Sequence, residues 1–205
     1  MRLDIIESGV RWAGGGAALV CLMFALAGMA RGLHRPRGRT TGLARKVLRL
    51  PAYLLLSVLF FGMCFLLWRP LPLALVVSGR IVALALGALL YFPGLALYLW
   101  ARLTLGEMYN VSSSMGAQLY ADHRLVTHGP FAFVRHPMYL GVILASAGGL
   151  LIYRNWTLVF TTVSFLGLAL RARREEQALA AEFGEQWEEY CRRVPGWMPR
   201  IPKKR

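Results

Sequence analysis

The residues best suited to chemistry lie at the two ends of a predicted helical hairpin in the second half of the chain. Segment 135–139 leads into the first apolar stretch of this hairpin, and segment 171–176 follows the second. A hairpin brings the two segments together because its helices run in opposite directions. Cations, an imidazole, a carboxylate pair and aromatic rings then lie beside an apolar region, and they suit a small zwitterionic ligand with a flat ring. The residues are Arg135, His136, Tyr139, Arg171, Glu175 and Glu176.

The same residues also have a purely structural interpretation. Charges that flank a spanning helix commonly anchor it at the membrane interface. Pro137 is a normal first residue of a helix, and His136 in front of it could act as a cap. Arg171 and Glu175, one helical turn apart, could form a surface ion pair that contributes roughly a few tenths of a kcal/mol. The spacing by itself leaves both roles open.

The elements that must position these residues are apolar helices. Hydrophobic residues make up 57% of the chain, compared with about half in an ordinary soluble domain. A helix needs roughly 17–25 apolar residues to cross a bilayer, and the pattern predicts an all-α integral membrane protein with about five transmembrane helices. We expect the first stretch to be a retained helix, because it is too long for the apolar part of a signal peptide. The uncharged stretches are residues 12–30, 50–68, 81–101, 137–153 and 155–170.

The predicted protein divides into two regions. Residues 1–101 hold three N-terminal transmembrane helices, and residues 102–205 hold a cytoplasmic loop, the two-span hairpin and a polar C-terminal helix. In that last helix apolar residues recur every three or four positions between glutamates. This predicts a cytoplasmic amphipathic helix, interrupted at Gly184 and ended by Pro195-Gly196. Its apolar residues are Leu179, Phe183, Trp187 and Tyr190.

Basic residues are distributed unevenly about the predicted helices. The net charge is +14, and nineteen of the 24 Lys and Arg residues fall on one side: seven in 31–49, three in 102–135 and nine in 171–205. Cytoplasmic loops carry such an excess, so we predict an outside N-terminus and an active site on the cytoplasmic face. The composition favours a bacterial cytoplasmic (inner) membrane. This charge distribution favours membrane lipids as partners and argues against nucleic acid.

Two further patterns concern metals and packing. The cysteines Cys21, Cys64 and Cys191 form no C-x-x-C pair, so we predict neither a metal site nor a disulfide. Small residues recur every fourth position at Gly141, Ala145 and Gly149. Such a face predicts close contact with another helix in lipid.

Three stretches of the second half resemble a known enzyme family. They are residues 123–131 (HRLVTHGPF), residues 135–141 (RHPMYLG), and the run from Glu175-Glu176 through Phe183-Gly184 to Val194-Pro195. In order and spacing they resemble the isoprenylcysteine carboxyl methyltransferase family, over residues 103–202. That family often has Tyr where this chain has Phe131. Residues 107–122 match it poorly, and we expect them to shape the substrate entrance.

The resemblance implies S-adenosyl-L-methionine as the cofactor and gives several residues a role. Glu175 would pair with the cofactor's ammonium, and His136 with Arg135 would hold its carboxylate. Phe131 and Tyr139 would line the adenine pocket. Arg171 would contact the substrate, and the catalytic set would be Arg171, Glu175 and His136. The implied cofactor-binding residues are His123, Arg124, Leu125, Val126, Phe131, Arg135, His136, Pro137, Met138, Tyr139 and Glu175.

The resemblance also implies methyl transfer to a lipophilic acceptor that enters from the bilayer, most like that of protein-S-isoprenylcysteine O-methyltransferase. A carboxylate or thiolate acceptor needs no general base, so proximity, orientation and exclusion of water suffice. Phospholipid N-methylation and thiol S-methylation are alternatives. An NADPH-dependent sterol-type reductase is disfavoured, because Met138 stands where such reductases usually have Asn. A non-enzymatic membrane scaffold would bind no nucleotide-like ligand.

Overall fold

The protein is mostly helical, as predicted. The computed structural model describes residues 2–32, 37–40, 50–110, 118–165 and 167–199. A small antiparallel sheet, which the all-α prediction did not include, pairs Arg37 with Tyr120 and Thr40 with Gln118. The elements are α1 (Arg2–Gly32), β1 (Arg37–Thr40), α2 (Leu50–Leu66), α3 (Val77–Leu105), β2 (Gln118–Tyr120), α4 (Pro137–Tyr153), α5 (Trp156–Ser164), α6 (Gly167–Phe183) and α7 (Glu185–Arg193), with 3-10 turns at Gly106–Met108 and Gly129–Ala132.

Two helices of the described ranges are long and apolar enough to cross a membrane. They are Arg2–Gly28 and Val77–Met108. Two apolar helices are shorter, Leu54–Leu66 and Pro137–Tyr153. Apolar helices therefore form the body of the protein, as expected, and the number of five spans stays a prediction.

The fifth predicted stretch, residues 155–170, is not one helix. α5 ends at Ser164, and α6 begins at Gly167 and continues through Arg171 to Phe183. The predicted boundary after residue 170 is therefore wrong, because the Ala, Leu, Arg, Glu and Gln residues that follow Gly167 are all strong helix formers. The interruption at Gly184 is confirmed: its φ is 50°, a conformation that glycine adopts at little cost.

The closest helix contact joins α3 and α4. A Cβ at Gly94 would lie 2.8 Å from the carbonyl oxygen of Gly141, and a Cβ at Gly141 would lie 2.7 Å from that of Gly94. Only glycine permits the two backbones to approach so closely. Ala145 is buried in the same interface, so the predicted contact of this face is confirmed for Gly141 and Ala145. Gly149 also contacts a neighbouring helix, because a Cβ there would lie 3.2 Å from Cε2 of Tyr91 in α3.

One end of the bundle is held by polar contacts. The backbone N–H of Leu71 donates to the carbonyl of Arg154 at 2.7 Å, and that of Trp156 donates to the carbonyl of Arg69 at 3.0 Å. The hydroxyl of Tyr153 donates to the carbonyl of Arg11 at 2.7 Å. The start of α1, the α2–α3 connection and the α4–α5 turn therefore lie together. The predicted topology requires this grouping; which membrane face it occupies stays a prediction.

Candidate functional site

A cavity lies at the other end of the bundle, where the start of α4 meets α6 and α7. It contains about 890 Å³ of space between atoms, part of it open to the surface. All the residues that the sequence suggested for cofactor or substrate lie on its wall, and we call it the motif cavity. They are His123, Arg124, Leu125, Val126, Phe131, Arg135, His136, Pro137, Met138, Tyr139, Arg171 and Glu175.

A tight turn directs the first motif, residues 123–131, into this cavity. Gly129 has a φ of 59°, a left-handed conformation that favours glycine. A Cβ at Gly129 would lie 2.9 Å from Oγ1 of Thr104, so a larger residue at this position would also clash with Thr104. The following 3-10 turn buries Phe131 and leaves Phe133 exposed. The local backbone therefore selects which aromatic ring lines the cavity.

The C-terminal tail is hydrogen-bonded to the second motif, residues 135–141. The backbone N–H groups of Arg135 and His136 donate to the carbonyls of Pro195 and Gly196, at 2.9 and 3.0 Å. Nη1 of Arg135 also donates to the carbonyl of Val194, at 2.8 Å. We call residues 194–197 the tail clasp. These bonds hold the clasp against the entrance of α4.

α7 is tied to the first motif by a buried hydroxyl. Tyr190 donates to the carbonyl of Phe131 at 2.6 Å. Burial raises the pKa of Tyr190 to about 12, so the hydroxyl stays a donor at neutral pH. Trp187 and Val194 pack against Tyr190 in a small apolar core. This core carries the tail across the motif cavity.

Glu176 is the acceptor for Arg135 and His136, the two residues in front of α4. Its Oε1 accepts from Nε and Nη2 of Arg135, at 3.0 and 2.9 Å. The same oxygen lies 2.8 Å from Nε2 of His136. The hydrogen bond from His136, together with Arg135, holds the pKa of Glu176 below its ordinary value, although partial burial acts in the opposite direction. Arg135 and His136, expected to hold a ligand carboxylate, thus bind a carboxylate of the protein itself.

An aromatic stack forms over His136. The rings of His136 and Tyr139 are nearly parallel, with centroids 5.7 Å apart. Trp197 of the tail clasp lies 5.3 Å from the His136 ring and 6.4 Å from the Tyr139 ring. The clasp therefore meets the second motif through both hydrogen bonds and ring contacts.

Arg171 and Glu175 differ from the Glu176 group. Nε of Arg171 is 3.8 Å from Oε1 of Glu175, too far for a strong hydrogen bond. Their side chains are 26% and 27% exposed, and both line the motif cavity. The guanidinium of Arg171 also lies over the ring of Tyr139, 5.3 Å from its centroid. The pair is therefore part of a cavity wall rather than an isolated surface ion pair.

A second, larger space adjoins the motif cavity. It contains about 1210 Å³ between atoms, opens to the surface and has mostly apolar walls from α1, α3, α4, α5 and α6. We call it the apolar chamber. The two spaces share four wall residues: Tyr109, Met138, Tyr139 and Arg171. A ligand in each could therefore meet the other at these residues.

Several wall residues were not identified from the sequence. Tyr109 and its neighbours Met108 and Asn110 line the motif cavity, within the loop that matches the family poorly. Trp197, outside the wall, was also not identified, and Glu176 was named only as one of a carboxylate pair, without its contacts to Arg135 and His136. Arg135 was the signal for these contacts, because a guanidinium in an apolar setting needs a nearby carboxylate. Among the described residues, no three His, Cys, Asp or Glu side chains are grouped to hold a metal ion.

Known proteins match this chain mainly in its second half. The model of the isoprenylcysteine carboxyl methyltransferase (ICMT) family matches residues 85–181. The protein-S-isoprenylcysteine O-methyltransferase of Schizosaccharomyces pombe is 39% identical over 83 residues, which are 40% of this chain and 35% of that protein. Methanethiol S-methyltransferase 1 of Bradyrhizobium diazoefficiens is 28% identical over 196 residues, which are 88% of this chain and 65% of that protein.

A reductase and a solved structure also match. The delta(14)-sterol reductase TM7SF2 of Mus musculus is 38% identical over 79 residues, 35% of this chain and 18% of that protein. A structure of the eukaryotic intramembrane Ras methyltransferase ICMT has a TM-score of 0.45 and 25% identity, covering 76% of this chain and 53% of that one. The chain thus spans less than two thirds of the length of each of these relatives. Over residues 85–181, the chain is similar to the isoprenylcysteine carboxyl methyltransferase family.

Proposed function

We propose that this protein is an S-adenosyl-L-methionine-dependent methyltransferase with a lipophilic, membrane-embedded acceptor. One observation carries the proposal: the motif cavity and the apolar chamber meet at Tyr109, Met138, Tyr139 and Arg171. Methyl transfer from a water-soluble donor to a lipid-soluble acceptor requires such a meeting point, because both reactants must be held in contact. The similarity of residues 85–181 to the isoprenylcysteine carboxyl methyltransferase family supports the same chemistry.

The walls of the motif cavity fit the cofactor. Glu175 offers a carboxylate to its ammonium, and the exposed Arg124 offers a guanidinium to its carboxylate. Phe131 and Tyr139 offer aromatic faces to its adenine ring. When bound, S-adenosyl-L-methionine supplies an electrophilic methyl group on a sulfonium sulfur.

Arg135 and His136 act as positioning residues in this proposal. Both side chains bond Glu176, and Arg135 also donates to the carbonyl of Val194 in the tail clasp. They therefore keep the clasp closed over the cavity and hold the ring of Tyr139 through the stack with His136. We assign the ligand's carboxylate to Arg124 for this reason.

Arg171 orients the acceptor. Its guanidinium stands where the two spaces join and attracts an anionic head group, a carboxylate or a thiolate. Neither anion needs a general base. The apolar chamber takes the hydrocarbon of the acceptor and excludes water, which would otherwise compete for the methyl group. The first candidate is therefore O-methylation of the carboxylate of an S-prenylated cysteine.

Thiol S-methylation is the second candidate. The bacterial methanethiol S-methyltransferase matches 88% of this chain, whereas the fission-yeast enzyme matches 40%. A thiolate fits the cation at Arg171 equally well. A phospholipid amine fits less well, because Arg171 would repel its charged form.

Product analysis separates these candidates. Purified protein is incubated with methyl-labelled S-adenosyl-L-methionine and, separately, with N-acetyl-S-farnesyl-cysteine, 1-hexanethiol or phosphatidylethanolamine. We expect label in the methyl ester of the prenylcysteine. Label in the thioether would support the second candidate. No transfer to any acceptor, together with stabilisation by NADPH alone, would replace the proposal with the reductase.

Glu175→Gln tests the placement of the cofactor. Hydrogen bonds to charged groups contribute about 1.5–3 kcal/mol, so the variant should bind S-adenosyl-L-methionine roughly tenfold to a hundredfold more weakly. The matched control is Glu185→Gln, at an exposed position of α7. Isothermal titration of the three proteins measures the affinities. Equal affinity in wild type and Glu175→Gln would show that Glu175 only anchors the helix.

A further inference from the structure

A buried carboxylate lies at the end of the bundle opposite the motif cavity. The side chain of Glu7 is 5% exposed and meets guanidinium groups from three elements. Its Oε1 accepts from Arg11 of α1 at 2.6 Å and from Arg154 of the α4–α5 turn. Its Oε2 accepts from Nη2 of Arg80 in α3 at 2.7 Å. Glu7 therefore ties α1 to α3 and α4.

Arg154 has an unusual backbone for this contact. Its φ of 49° places it in the left-handed region as the cap of α4, where glycine is the usual residue. An L-residue with a Cβ loses roughly 1–2 kcal/mol in that conformation. Its guanidinium compensates by bonding Glu7 and the carbonyl of Leu151. The turn and the ion cluster thus depend on each other.

The described hydrogen bonds of α1 to its neighbours are concentrated at this end. Besides the Glu7 bonds, Tyr91 donates to the carbonyl of Gly14 at 3.0 Å, and Nε of Arg11 donates to the carbonyl of Ile152 at 3.2 Å. Further along, Cys21 makes only a weak thiol contact with the carbonyl of Leu95, at 3.8 Å. Near the far end, the guanidinium of Arg102 packs against Gly28. Within the described residues, the strong hydrogen bonds between α1 and its neighbours therefore involve the first fourteen residues of the chain.

The next part of α1 forms a wall of the apolar chamber. The wall residues are Ala18, Cys21, Leu22 and Ala25. They share one face and span seven positions, or about 10 Å at 1.5 Å per residue. The opposite face of α1 is exposed, at Val20, Met23 and Ala27. In a bilayer, α1 thus separates the chamber from surrounding lipid.

We propose that α1 is the wall that sizes and closes the acceptor chamber, and that Glu7 is the positioning residue that holds this wall in place. The inference rests on the proposed function only for the identity of the acceptor. With Glu7 lost, the partly buried guanidinium groups of Arg80 and Arg154 lose their shared carboxylate, and α1 moves away from α3 and α4. The chamber then opens toward lipid, while the motif cavity, which contains no residue of α1, stays intact.

Thiol labelling tests the wall without any methyl transfer. Cys21 lies in the chamber and is buried. In a background with Cys64→Ala and Cys191→Ala, N-ethylmaleimide should react with Cys21 at least roughly tenfold faster after Glu7→Gln. Glu7→Asp should restore most of the protection. The matched control, Asp4→Asn, removes an ion pair to the same Arg80 from a side chain that is 59% exposed, and should change the rate less than about twofold.

Kinetics test the consequence for the acceptor. With N-acetyl-S-farnesyl-cysteine as the probe, Glu7→Gln should raise the acceptor KM several-fold and leave the affinity for S-adenosyl-L-methionine unchanged. Ala25→Leu narrows the chamber from α1 without touching Glu7. It should raise the KM for the farnesyl compound more than the KM for 1-hexanethiol.

The outcomes separate this inference from the proposed function. An unchanged labelling rate of Cys21 in a folded Glu7→Gln protein would overturn the proposal that Glu7 holds α1 as the chamber wall, whatever reaction the protein catalyses. A loss of cofactor affinity equal to the loss of acceptor affinity would also overturn it, since that pattern means general unfolding. Faster labelling with no transfer to any acceptor would leave α1 as the chamber wall and reject the methyltransferase proposal instead.

Discussion

Replacing Glu176 by Gln should release the tail clasp from α4. Glu176 accepts two bonds from Arg135 and one contact from His136, all through Oε1. Gln keeps the size and an acceptor oxygen but removes the charge. A partner removed from a buried ion pair costs about 3–5 kcal/mol, whereas an exposed pair contributes about 0–1 kcal/mol. The Glu176 side chain is 28% exposed, so we expect a loss between these limits, about 1–3 kcal/mol.

The assay is thermal unfolding in detergent, followed by the fluorescence of tryptophans such as Trp197. In a chain of this size, about 1 kcal/mol corresponds to roughly 2–4 °C, so Tm should fall by roughly 2–12 °C. The matched control is Glu182→Gln, an exposed residue later in α6, with a shift within about 2 °C. Equal Tm values for wild type and Glu176→Gln would refute the argument that this carboxylate holds the clasp.

The pH dependence of Tm provides an independent test of the same prediction. The pKa of Glu176 lies below its ordinary value of 4.5 because the carboxylate is bonded by His136 and Arg135. A carboxyl with a lowered folded-state pKa stabilises the fold above its unfolded-state pKa, and this stabilisation disappears as pH falls through the folded value. The Tm difference between wild type and Glu176→Gln should therefore be full at pH 7 and should shrink below pH 4.5. A difference that grows in acid would contradict it.

Two further predictions concern packing and topology. Ala145→Leu inserts a larger side chain into a tight helix contact, where a Cβ at Gly94 would already lie 2.6 Å from the Ala145 nitrogen. It should lower the free energy of unfolding by about 1–3 kcal/mol and reduce the folded yield. The control Ile143→Leu, on a partly exposed face, should change neither. For topology, an impermeant thiol reagent applied to intact cells should label Arg69→Cys and spare Arg173→Cys in a background without native cysteines, since the basic excess places Arg173 in the cytoplasm; the reverse pattern would invert the topology.

The sequence identified the motif cavity well, because its residues fall in short motifs at the two ends of a hairpin. It could not separate Glu175 from Glu176. Adjacent helix residues point about 100° apart, and the phase of α6 relative to α4 is set by packing that the sequence does not reveal. The same ignorance of packing hid Tyr109 and Trp197, which lie outside any periodic pattern.

The sequence pattern did not predict two features of the fold, and the physical reason differs between them. The strand Arg37–Thr40 has the sequence RGRT, with no apolar alternation to indicate a strand. The division between α5 and α6 lies within an apolar stretch, so hydropathy gives no reason for a break there. Conversely, α6 continues past the predicted membrane boundary, because helix propensity does not change where charge begins.

The two adjacent glutamates also explain how a cationic ligand can bind beside so many arginines. S-adenosyl-L-methionine has a sulfonium and an ammonium against one carboxylate, so an unpaired guanidinium near its sulfur would repel it. Glu176 neutralises Arg135 through two bonds and also binds His136. Glu175 lies 3.8 Å from Arg171 on the wall of the motif cavity, where its carboxylate can attract the ammonium of the proposed cofactor. In the proposed complex, Glu176 would therefore serve the protein and Glu175 would serve the ligand.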